Sequence, residues 1–584
     1  MSLVSKLFRL LNAEERHSAY LLFFMMLIGV FLETFSIGLI IPALAVMTGQ
    51  NPGVSFPMFT KYLPPAVIAM EAKQLVIWGM LLLVVVYVVK SFFLVYLAWL
   101  QNRFTFKVQT RISKQLLTSY LAQPYIYHLQ RNSAQLILNI TTGVYLLSSA
   151  ISHGLVLLTE ILIAASISLL LFKVEPLGTA AALCLLGLSA FFISRAIGKR
   201  NVRWGEKSQH HEGMRIQYIQ QCLGGVKEIL LLGRAKNFIS RYAEHNTKSG
   251  EMIFYQNTTL QIPRLVLEAL SVCALAALVI MILLRDGSGV ATVIPIIGLF
   301  ATAAFRLMPS INRILSAIQN HQYQRSTVDT IYDELTNIQA DTRVISAPVI
   351  TNKVSLKSAV VMKNISYTYP NTQLPALSKI SIKIIKGDIV GFIGTSGAGK
   401  STLVDILLGL LQPTEGKVLQ DGVDIKENIQ AWQKQIGYVP QTIFLTDESL
   451  RQNIAFGIPD DEIDDSNVQR ALLAAQLSSF VDGLPEGLMT LVGERGVRLS
   501  GGQRQRIGIA RALYHDPDIL VLDEATSALD NETEQDVMQA IYALHGQKTI
   551  LMVAHRTSTV AQCDYLYRLE HGKIVAEGSP SELL

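Results

Sequence analysis

Long apolar segments fill the chain up to about residue 320 and constrain its fold more than any other feature. A helix that crosses the hydrocarbon core of a bilayer needs about 20 mostly apolar residues. Six segments meet this requirement: 19–47, 75–100, 144–172, 177–198, 262–284 and 290–315. Only 16% of all residues are charged, against about 25% in soluble domains. We therefore predict an α-helical polytopic membrane domain with six transmembrane helices, because the first three segments are too long and apolar for buried helices of a soluble protein.

Lysine and arginine residues concentrate in two connections between these segments, 101–134 and 198–260. Because positively charged connections stay on the cytoplasmic side, we predict that both connections and both chain termini face the cytoplasm. The loop 48–74 is rich in proline and has one possible short helix, Ala66–Met70. Apolar residues within 206–248 recur near helical spacing, so we predict that this cytoplasmic connection is helical.

The character of the chain changes after the last apolar segment. That segment continues as a polar helix whose periodicity fades near Ala340, and strand-like and helix-like runs then alternate as in a soluble α/β domain. The sequence predicts three parts: a membrane domain over 1–340, a linker over 341–357 and a nucleotide-binding domain over 358–584.

A phosphate-binding loop motif, the P-loop, lies near the start of the α/β domain. It follows the strand-like run Ile389–Ile393 and precedes a helix-like run over 402–411, which is the context that a P-loop requires. Its glycines let backbone amides face phosphate oxygens, and the helix N-terminus adds positive potential. We predict that Lys400 contacts the β- and γ-phosphates of ATP and that Ser401 binds Mg²⁺. The predicted ATP-binding residues here are Gly394, Thr395, Ser396, Gly397, Ala398, Gly399, Lys400, Ser401 and Thr402.

A second apolar strand ends in two adjacent carboxylates, Asp523 and Glu524. In a domain with a P-loop, the first carboxylate suits the Mg²⁺ shell and the second is placed to polarise the attacking water. Two acids that merely end a strand are the alternative, and the P-loop argues against it. We therefore predict an ATP hydrolase.

The segment Leu499–Gln503, with the sequence LSGGQ, matches the signature of the ABC ATPases. Other motifs of that family follow the expected order. Tyr369 is similar to the aromatic residue that stacks on adenine, Gln441 to the Q-loop glutamine, Ser527–Asp530 to the D-loop, and His555 to the histidine that contacts the γ-phosphate.

This resemblance to the ABC family implies ATP and Mg²⁺ as cofactors and assigns the remaining site residues. It implies catalytic roles for Glu524, His555 and Gln441, and Mg²⁺ contacts by Ser401, Gln441 and Asp523. The signature residues Ser500, Gly501, Gly502 and Gln503 would contact nucleotide across a dimer, because ABC ATPase domains pair head to tail. One copy of each motif per chain implies a dimer. Intact motifs favour a homodimer, and a heterodimer with a degenerate partner stays open.

The order of the domains resembles that of ABC exporters rather than importers. Thr490–Gly496 resembles the x-loop of exporters, and the segments 123–128 and 224–229 resemble the coupling segments of their membrane domains. A non-transport ATPase, as in DNA repair, is the other class with these motifs, and six spans argue against it. No nucleic-acid partner is expected.

Charged side chains inside transmembrane helices are costly and are therefore functional candidates by default. Here they are Glu33, Lys90, Glu160, Arg264, Glu268 and Arg306, with Arg313 near the inner end of the last span. The cations Lys90, Arg264 and Arg306 lie on three different spans, so they could converge on a substrate cavity and hold an anionic group. The alternative is that these cations pair with the three glutamates or reach a membrane interface.

Three membrane-domain segments, 31–35, 262–268 and 304–314, resemble the PglK flippase family of bacterial N-glycosylation. That resemblance implies a polyprenyl-pyrophosphate-linked oligosaccharide as substrate, a role in protein glycosylation and a place in the bacterial cytoplasmic membrane. A lysine at position 90, in place of a family arginine, keeps the charge but loses the bidentate geometry of a guanidinium. An exporter of another lipid, a peptide or a hydrophobic drug stays open.

Overall fold

A computed structural model of the chain describes residues 3–39, 72–174, 176–286, 290–337, 355–493, 496–525, 531–554 and 556–584. The chain divides into two compact units. The helical unit comprises Met1–Gln123 and Gln130–Ile345, and the α/β unit comprises Pro124–Leu129 and Ser346–Leu584. Most of the predicted linker, the end of the first predicted span and the short helix Ala66–Met70 lie outside the described residues.

Long helices build the helical unit at the positions of the six predicted spans. In chain order the helices up to residue 337 are α1 Leu3–Leu10, α2 Ala13–Gly38, α3 Ala72–Leu121, α4 Tyr125–Gln130, α5 Ser133–Leu138, α6 Val144–Val174, α7 Pro176–Gly224, α8 Val226–Leu231, α9 Ala235–Asp286 and α10 Val290–Asn337. Most of α4 belongs to the α/β unit. One π-helical turn, Asn139–Gly143, joins α5 to α6. Three stretches of the described chain are long and apolar enough to cross a membrane by length and composition: Ala13–Gly38, Ile77–Leu121 and Ser133–Lys173.

Four of these helices far exceed the thickness of a bilayer. Helices α3, α7, α9 and α10 contain 50, 49, 52 and 48 residues, or roughly 75 Å each at 1.5 Å per residue. The hydrocarbon core measures about 30 Å. The predicted helical character of 206–248 is confirmed, with a break on each side of α8.

A buried ion pair fixes the start of α2 against α3. Asn12 and Glu15 form a capping box at the N-terminus of α2. Arg111 of α3 donates from Nε and Nη2 to the two carboxylate oxygens of Glu15 over 2.6 and 2.7 Å, and to the carbonyl of Leu10 over 2.8 Å. Because Glu15 is buried, this bidentate pairing satisfies a charge that would otherwise be strongly destabilising.

The α/β unit contains two sheets. Its strands are β1 Ala359–Tyr367, β2 Leu377–Ile385, β3 Ile389–Ile393, β4 Glu415–Gln420, β5 Val423–Asp424, β6 Ile436–Val439, β7 Ile519–Asp523, β8 Thr549–Val553, β9 Tyr565–Glu570 and β10 Lys573–Gly578. An antiparallel sheet has the order β2-β1-β4-β5, and a six-stranded sheet has the order β10-β9-β3-β8-β7-β6. Strands β9, β3, β8, β7 and β6 of the second sheet run parallel.

Short helices and turns connect the strands of the α/β unit. They are α11 Lys400–Leu407, α12 Ile429–Gln433, α13 Leu450–Ile454, α14 Asp465–Ala474, α15 Ser478–Asp482, α16 Gly501–Leu513, α17 Asn531–Tyr542, α18 Thr557–Val560 and α19 Pro580–Leu583, with 3-10 turns at Ile425–Asn428, Asp460–Glu462 and Gly487–Met489. On β8, Ile550 and Met552 belong to one apolar core, and Leu551 and Val553 belong to another. Because both faces are buried, the strands read as continuous apolar runs in the sequence.

The strand order brings the P-loop and the two carboxylates to the same edge of the sheet. Strand β8 separates β3 from β7, and all three are parallel. The carboxyl ends of β3 and β7 therefore meet at one edge of the sheet, where ligands bind in open α/β folds. The P-loop follows β3, and the two carboxylates end β7.

Candidate functional site

The P-loop turns sharply from β3 into α11, and two of its glycines make the turn possible. Gly394 has φ +153°, and a Cβ there would lie 2.2 Å from the carbonyl oxygen of Leu569. Gly399 has φ +102°, and its Cβ would lie 2.8 Å from the carbonyl oxygen of Ala376. Since neither position has room for a side chain, the loop stays open for a phosphate beside the α11 N-terminus.

Helix α11 differs slightly from the predicted run over 402–411. It begins at Lys400 and ends at Leu407. It ends early because Gly409 adopts φ +70°, and the indole of Trp432 donates to the carbonyl of Leu407 over 2.7 Å. The P-loop lysine is therefore the first residue of the helix.

Lys400 lies buried inside the loop to which it belongs. Its ammonium donates to the carbonyls of Gly394 (2.8 Å) and Thr395 (3.0 Å). Because an ammonium has three donors, these two hydrogen bonds leave one for a phosphate oxygen. Burial lowers the pKa of Lys400, while the charges of Glu524 and Asp523 act in the opposite direction. Those two charges oppose the loss of the proton, and the hydrogen bonds hold the ammonium at the loop to which the sequence assigns phosphate binding.

The two carboxylates after β7 have different surroundings. Asp523 accepts a hydrogen bond from Tyr438, whose pKa is raised by burial and then by the charge of Asp523. Glu524 adopts the left-handed backbone conformation, with φ +50°. Its side chain accepts a hydrogen bond from Gln441 Nε2 over 2.6 Å. The structure thus brings together two residues to which the resemblance gives catalytic roles.

Negative charge accumulates where Mg²⁺ is predicted. Burial raises the pKa of Asp405, on α11, to about 6, and the nearby Asp523 adds to this shift. A divalent cation would relieve the repulsion between these two carboxylates. The predicted ligands Ser401, Asp523 and Gln441 supply hydroxyl, carboxylate and amide oxygens, the hard donors that Mg²⁺ prefers. When bound, the ion would neutralise phosphate charge in the reaction.

Tyr369 lies beside the start of α11, where an adenine-stacking residue is expected. Its hydroxyl and that of Thr402 are hydrogen-bonded over 3.1 Å, and its ring packs edge-on against Tyr367 with centroids 5.0 Å apart. Sequence reasoning missed a further neighbour, Tyr125, which belongs to the α/β unit although it precedes α5. Burial and then the charge of Asp405 raise the pKa of Tyr125.

The signature segment forms the N-terminus of α16. Ser500 caps this helix by accepting from the amide of Gln503, whose side chain accepts in turn from the amide of Ser500. The N-terminal turn, with Gly501 and Gly502, presents the positive end of a 13-residue helix. That end suits a phosphate, as the resemblance implies.

Several predicted elements lie outside the part of the chain that the structure describes. They are His555, the D-loop Ser527–Asp530, residues 494 and 495 of the x-loop segment, and the side chain of Arg306. Their assigned roles stay predictions.

The charges inside the spans form ion pairs in two places. Lys90 lies 3.4 Å from Glu33, donates to Ser36 over 3.3 Å and lies over the Tyr87 ring. Arg313 Nε donates to Glu160 over 2.6 Å. Arg264 is exposed on α9. Lys90 thus follows the pairing alternative, and the described residues do not show the three cations together.

Comparisons with known proteins agree with this architecture. The family described as "ABC transporter transmembrane region" matches residues 17–305, and the family described as "ABC transporter" matches residues 377–527. A protein of Cupriavidus metallidurans, named ATP-dependent lipid A-core flippase, is 43% identical over 227 residues, which are 38% of each chain. A protein of the same name from Thiobacillus denitrificans is 28% identical over 563 residues, or 92% of each chain.

A solved structure shares the fold over nearly the whole chain. It is described as a bacterial Atm1-family ABC exporter with ATP bound, and it matches with a TM-score of 0.79 and 23% identity over 98% of this chain and 96% of that one. This likeness confirms the predicted combination of a helical exporter membrane domain and a C-terminal α/β domain.

Proposed function

Because the chain belongs to the ABC transporter family, as an exporter half-transporter that couples ATP hydrolysis to transport, we propose that it flips a glycolipid with an anionic phosphate link. The specific substrate we propose is a polyprenyl-pyrophosphate-linked oligosaccharide, moved outward across a bacterial cytoplasmic membrane. The termini and the α/β unit would lie on the cytoplasmic side, since the lysine-rich connections and the ATP supply belong there.

The exposed position of Arg264 is the observation that supports an anionic substrate. This residue is exposed on the surface of a single chain, within the span predicted over 262–284. A guanidinium that faces hydrocarbon is strongly unfavourable, so an intramembrane arginine faces a cavity or a partner in most membrane proteins. A cavity between two copies of the chain, holding a phosphate group, would satisfy this charge. Arg306 lies on the next span and could join it there.

Lys90 has a different place in this proposal. Its ammonium is buried and paired with Glu33, so its charge is already balanced without a substrate. Binding of the substrate phosphate would therefore depend more on Arg264 and Arg306 than on Lys90. Lys90 would still line the proposed cavity, and it would contribute less to phosphate binding than the two arginines.

The cargo is proposed to be a lipid rather than a peptide or a drug. Relatives named lipid A-core flippases match over as much as 93% of the chain, which supports a saccharide-bearing lipid. The PglK-like segments around 31–35, 262–268 and 304–314 support the polyprenyl pyrophosphate over lipid A-core. A role in protein glycosylation follows from that choice.

We further propose that two copies form the transporter. Around α8 the helical unit exposes large apolar side chains, with Leu223, Leu230, Leu231 and Leu232 between 67 and 83% exposed. An apolar patch of this kind marks an interaction site. A second copy would cover it, because each ATP site needs the P-loop of one chain and the signature segment of the other.

The two nucleotide sites would then work with Mg²⁺ and the residues already described. Lys400 and the loop amides would hold the phosphates of ATP, while Glu524 would polarise the attacking water. Gln441 would position Glu524, and His555 would contact the γ-phosphate.

Reconstitution in proteoliposomes tests the substrate. The chain should translocate polyprenyl-pyrophosphate-linked oligosaccharide in an ATP-dependent manner, and the Arg264→Gln/Arg306→Gln double variant should lose translocation while keeping most of its basal ATPase activity. The matched Arg264→Lys/Arg306→Lys variant should lose less, because it keeps the charge.

Two outcomes would contradict the proposal. Unchanged flipping by the double glutamine variant would remove the cations from substrate binding. Translocation of lipid A-core without translocation of the polyprenyl-linked saccharide would replace the proposed substrate.

A further inference from the structure

Two histidines of the helical unit face each other on the parts of α7 and α9 that lie beyond the predicted spans. His211 Nδ1 and His245 Nδ1 are 3.0 Å apart, and the ring centroids are 5.2 Å apart. Tyr218 of α7 stacks on the His245 ring, with centroids 5.5 Å apart. The His245 ring is therefore held by packing as well as by the contact with His211.

The Nδ1–Nδ1 contact restricts the protonation of the pair. If both nitrogens carried a proton, the two N–H groups would point at each other, so at least one nitrogen must present its lone pair. Burial lowers the pKa of His211, and the neighbouring His210, His245 and Lys248 lower it further, while the charge of Glu244 acts in the opposite direction. The neutral imidazole is the form that binds metal ions.

We propose that His211 and His245 form a clamp that binds one transition-metal ion of the Zn²⁺ type between α7 and α9. Zinc–nitrogen bonds of about 2.0–2.1 Å at a tetrahedral angle place the two nitrogens roughly 3.3 Å apart. The observed 3.0 Å is about 0.3 Å shorter, so binding requires a small separation of the two nitrogens and a rotation of the rings that turns both lone pairs towards the ion.

Solvent would complete the coordination shell. Among the described residues, no group of three or more histidine, cysteine, aspartate or glutamate side chains is arranged to hold a metal ion. The carboxylates adjacent to the two histidines in the sequence have other partners, since Glu212 pairs with Arg215 over 2.8 Å and Glu244 pairs with Lys248 over 2.6 Å. An ion with two protein ligands exchanges readily, so this site is regulatory rather than structural.

The position of the clamp suggests what it regulates. Helices α7 and α9 carry α8 between them, and His211 and His245 lie about 14 residues, or roughly 21 Å at 1.5 Å per residue, from its two ends. A metal ion that bridges the pair restrains sliding of α7 against α9. Bound metal should therefore slow ATP-driven transport.

Metal binding to the full-length chain in detergent, purified without a histidine tag, tests the clamp directly. Titration with Zn²⁺ in a calorimeter should show saturable binding of one ion per chain, and Co²⁺ should give the absorption bands of a low-symmetry site. His211→Ala and His245→Ala should each weaken binding at least tenfold. His210→Ala is the matched control, because the exposed His210 ring lies near both His211 and His245, with centroids 5.2 and 6.5 Å apart, whereas the 3.0 Å nitrogen contact joins His211 to His245.

Folding and transport complete the test. Basal ATPase activity, measured with Mg²⁺ but without added Zn²⁺, should be unchanged in all three variants, which shows that they are folded. Zn²⁺ should slow transport by the wild-type chain and by His210→Ala, but not by the other two. Equal Zn²⁺ affinity in the wild-type chain and in the His211→Ala and His245→Ala variants would overturn the proposal, as would the absence of saturable binding.

Discussion

Gln441 Nε2 donates a 2.6 Å hydrogen bond to Glu524 Oε2, joining two residues 83 positions apart in the sequence. Gln441 follows β6 and Glu524 follows β7, and these two strands are parallel neighbours. Glu524 also has a left-handed backbone, which a non-glycine residue adopts at a cost of roughly 1–2 kcal/mol. Strained residues of this kind occur most often at functional sites, which agrees with the proposed role of Glu524.

Replacing the proposed general base should separate nucleotide binding from hydrolysis. Glu524→Gln should lower ATP turnover by about 10²–10⁴-fold, because an amide cannot accept a proton from water as a carboxylate does. ATP binding should persist, since Lys400 and the loop are unchanged. Phosphate release and trapped-nucleotide assays measure the two effects. Turnover near the wild-type level would remove Glu524 from this role.

Replacing either of two P-loop glycines by alanine should change ATP affinity to different extents. Gly394→Ala should abolish ATP binding, because its Cβ would lie 2.2 Å from a backbone oxygen that cannot move aside. Gly397→Ala is the matched control: this glycine has φ +80° but nothing within 4 Å of its Cβ, so only about 1–2 kcal/mol of backbone strain is expected. Nucleotide affinity measured by fluorescent-ATP titration compares them, and equal losses would contradict the steric argument.

Mixed dimers test whether each ATP site is formed by the P-loop of one chain and the signature segment of the other. Lys400→Ala and Ser500→Arg chains should each be inactive alone. A mixed dimer would have one site with both defects and one intact site, so ATPase activity should partly return when the two chains are co-expressed. Each single variant co-expressed with a second copy of itself is the control. Full activity in either homodimer would contradict a site shared between chains.

Acid should destabilise the helical unit through His321. Burial lowers the pKa of His321, on the part of α10 that follows the predicted span, to about 4, with His153 adding to the shift. Its two ring nitrogens have no hydrogen-bond partner. Because the unfolded histidine titrates near 6.5, the unfolded state binds the proton first as the pH falls. The contribution of His321 to the free energy of unfolding is therefore fully present above about pH 6.5. It decreases as the pH falls towards 4, by up to about 3 kcal/mol.

Thermal unfolding of the detergent-solubilised chain at about pH 7 and pH 4.5 measures this effect. His321→Leu should remove part of the pH dependence and leave the melting temperature at neutral pH unchanged or higher, since it replaces an unsatisfied polar ring by an apolar side chain. An identical pH dependence in this variant would show that other groups control the acid sensitivity.

Local patterns in the sequence were enough to predict most of the architecture. The described parts of the six apolar segments lie on long helices, since a span is defined by length and hydropathy within one segment. The run Ile389–Ile393 predicted β3 with its exact bounds, because a strand buried on both faces is apolar throughout. Glycine spacing predicted the P-loop, because the motif itself encodes the turn.

Contacts between distant segments depended on the tertiary structure. The sequence offered Glu33, Glu160 and Glu268 alike as partners for the intramembrane cations, and the packing of α2 against α3 paired Lys90 with Glu33. The parallel order of β6 and β7 brought Gln441 to Glu524. The register of α7 against α9 set His211 opposite His245. Hydrophobic periodicity determines which face of a helix or strand is buried, but the partner that a polar side chain meets depends on how whole elements pack together.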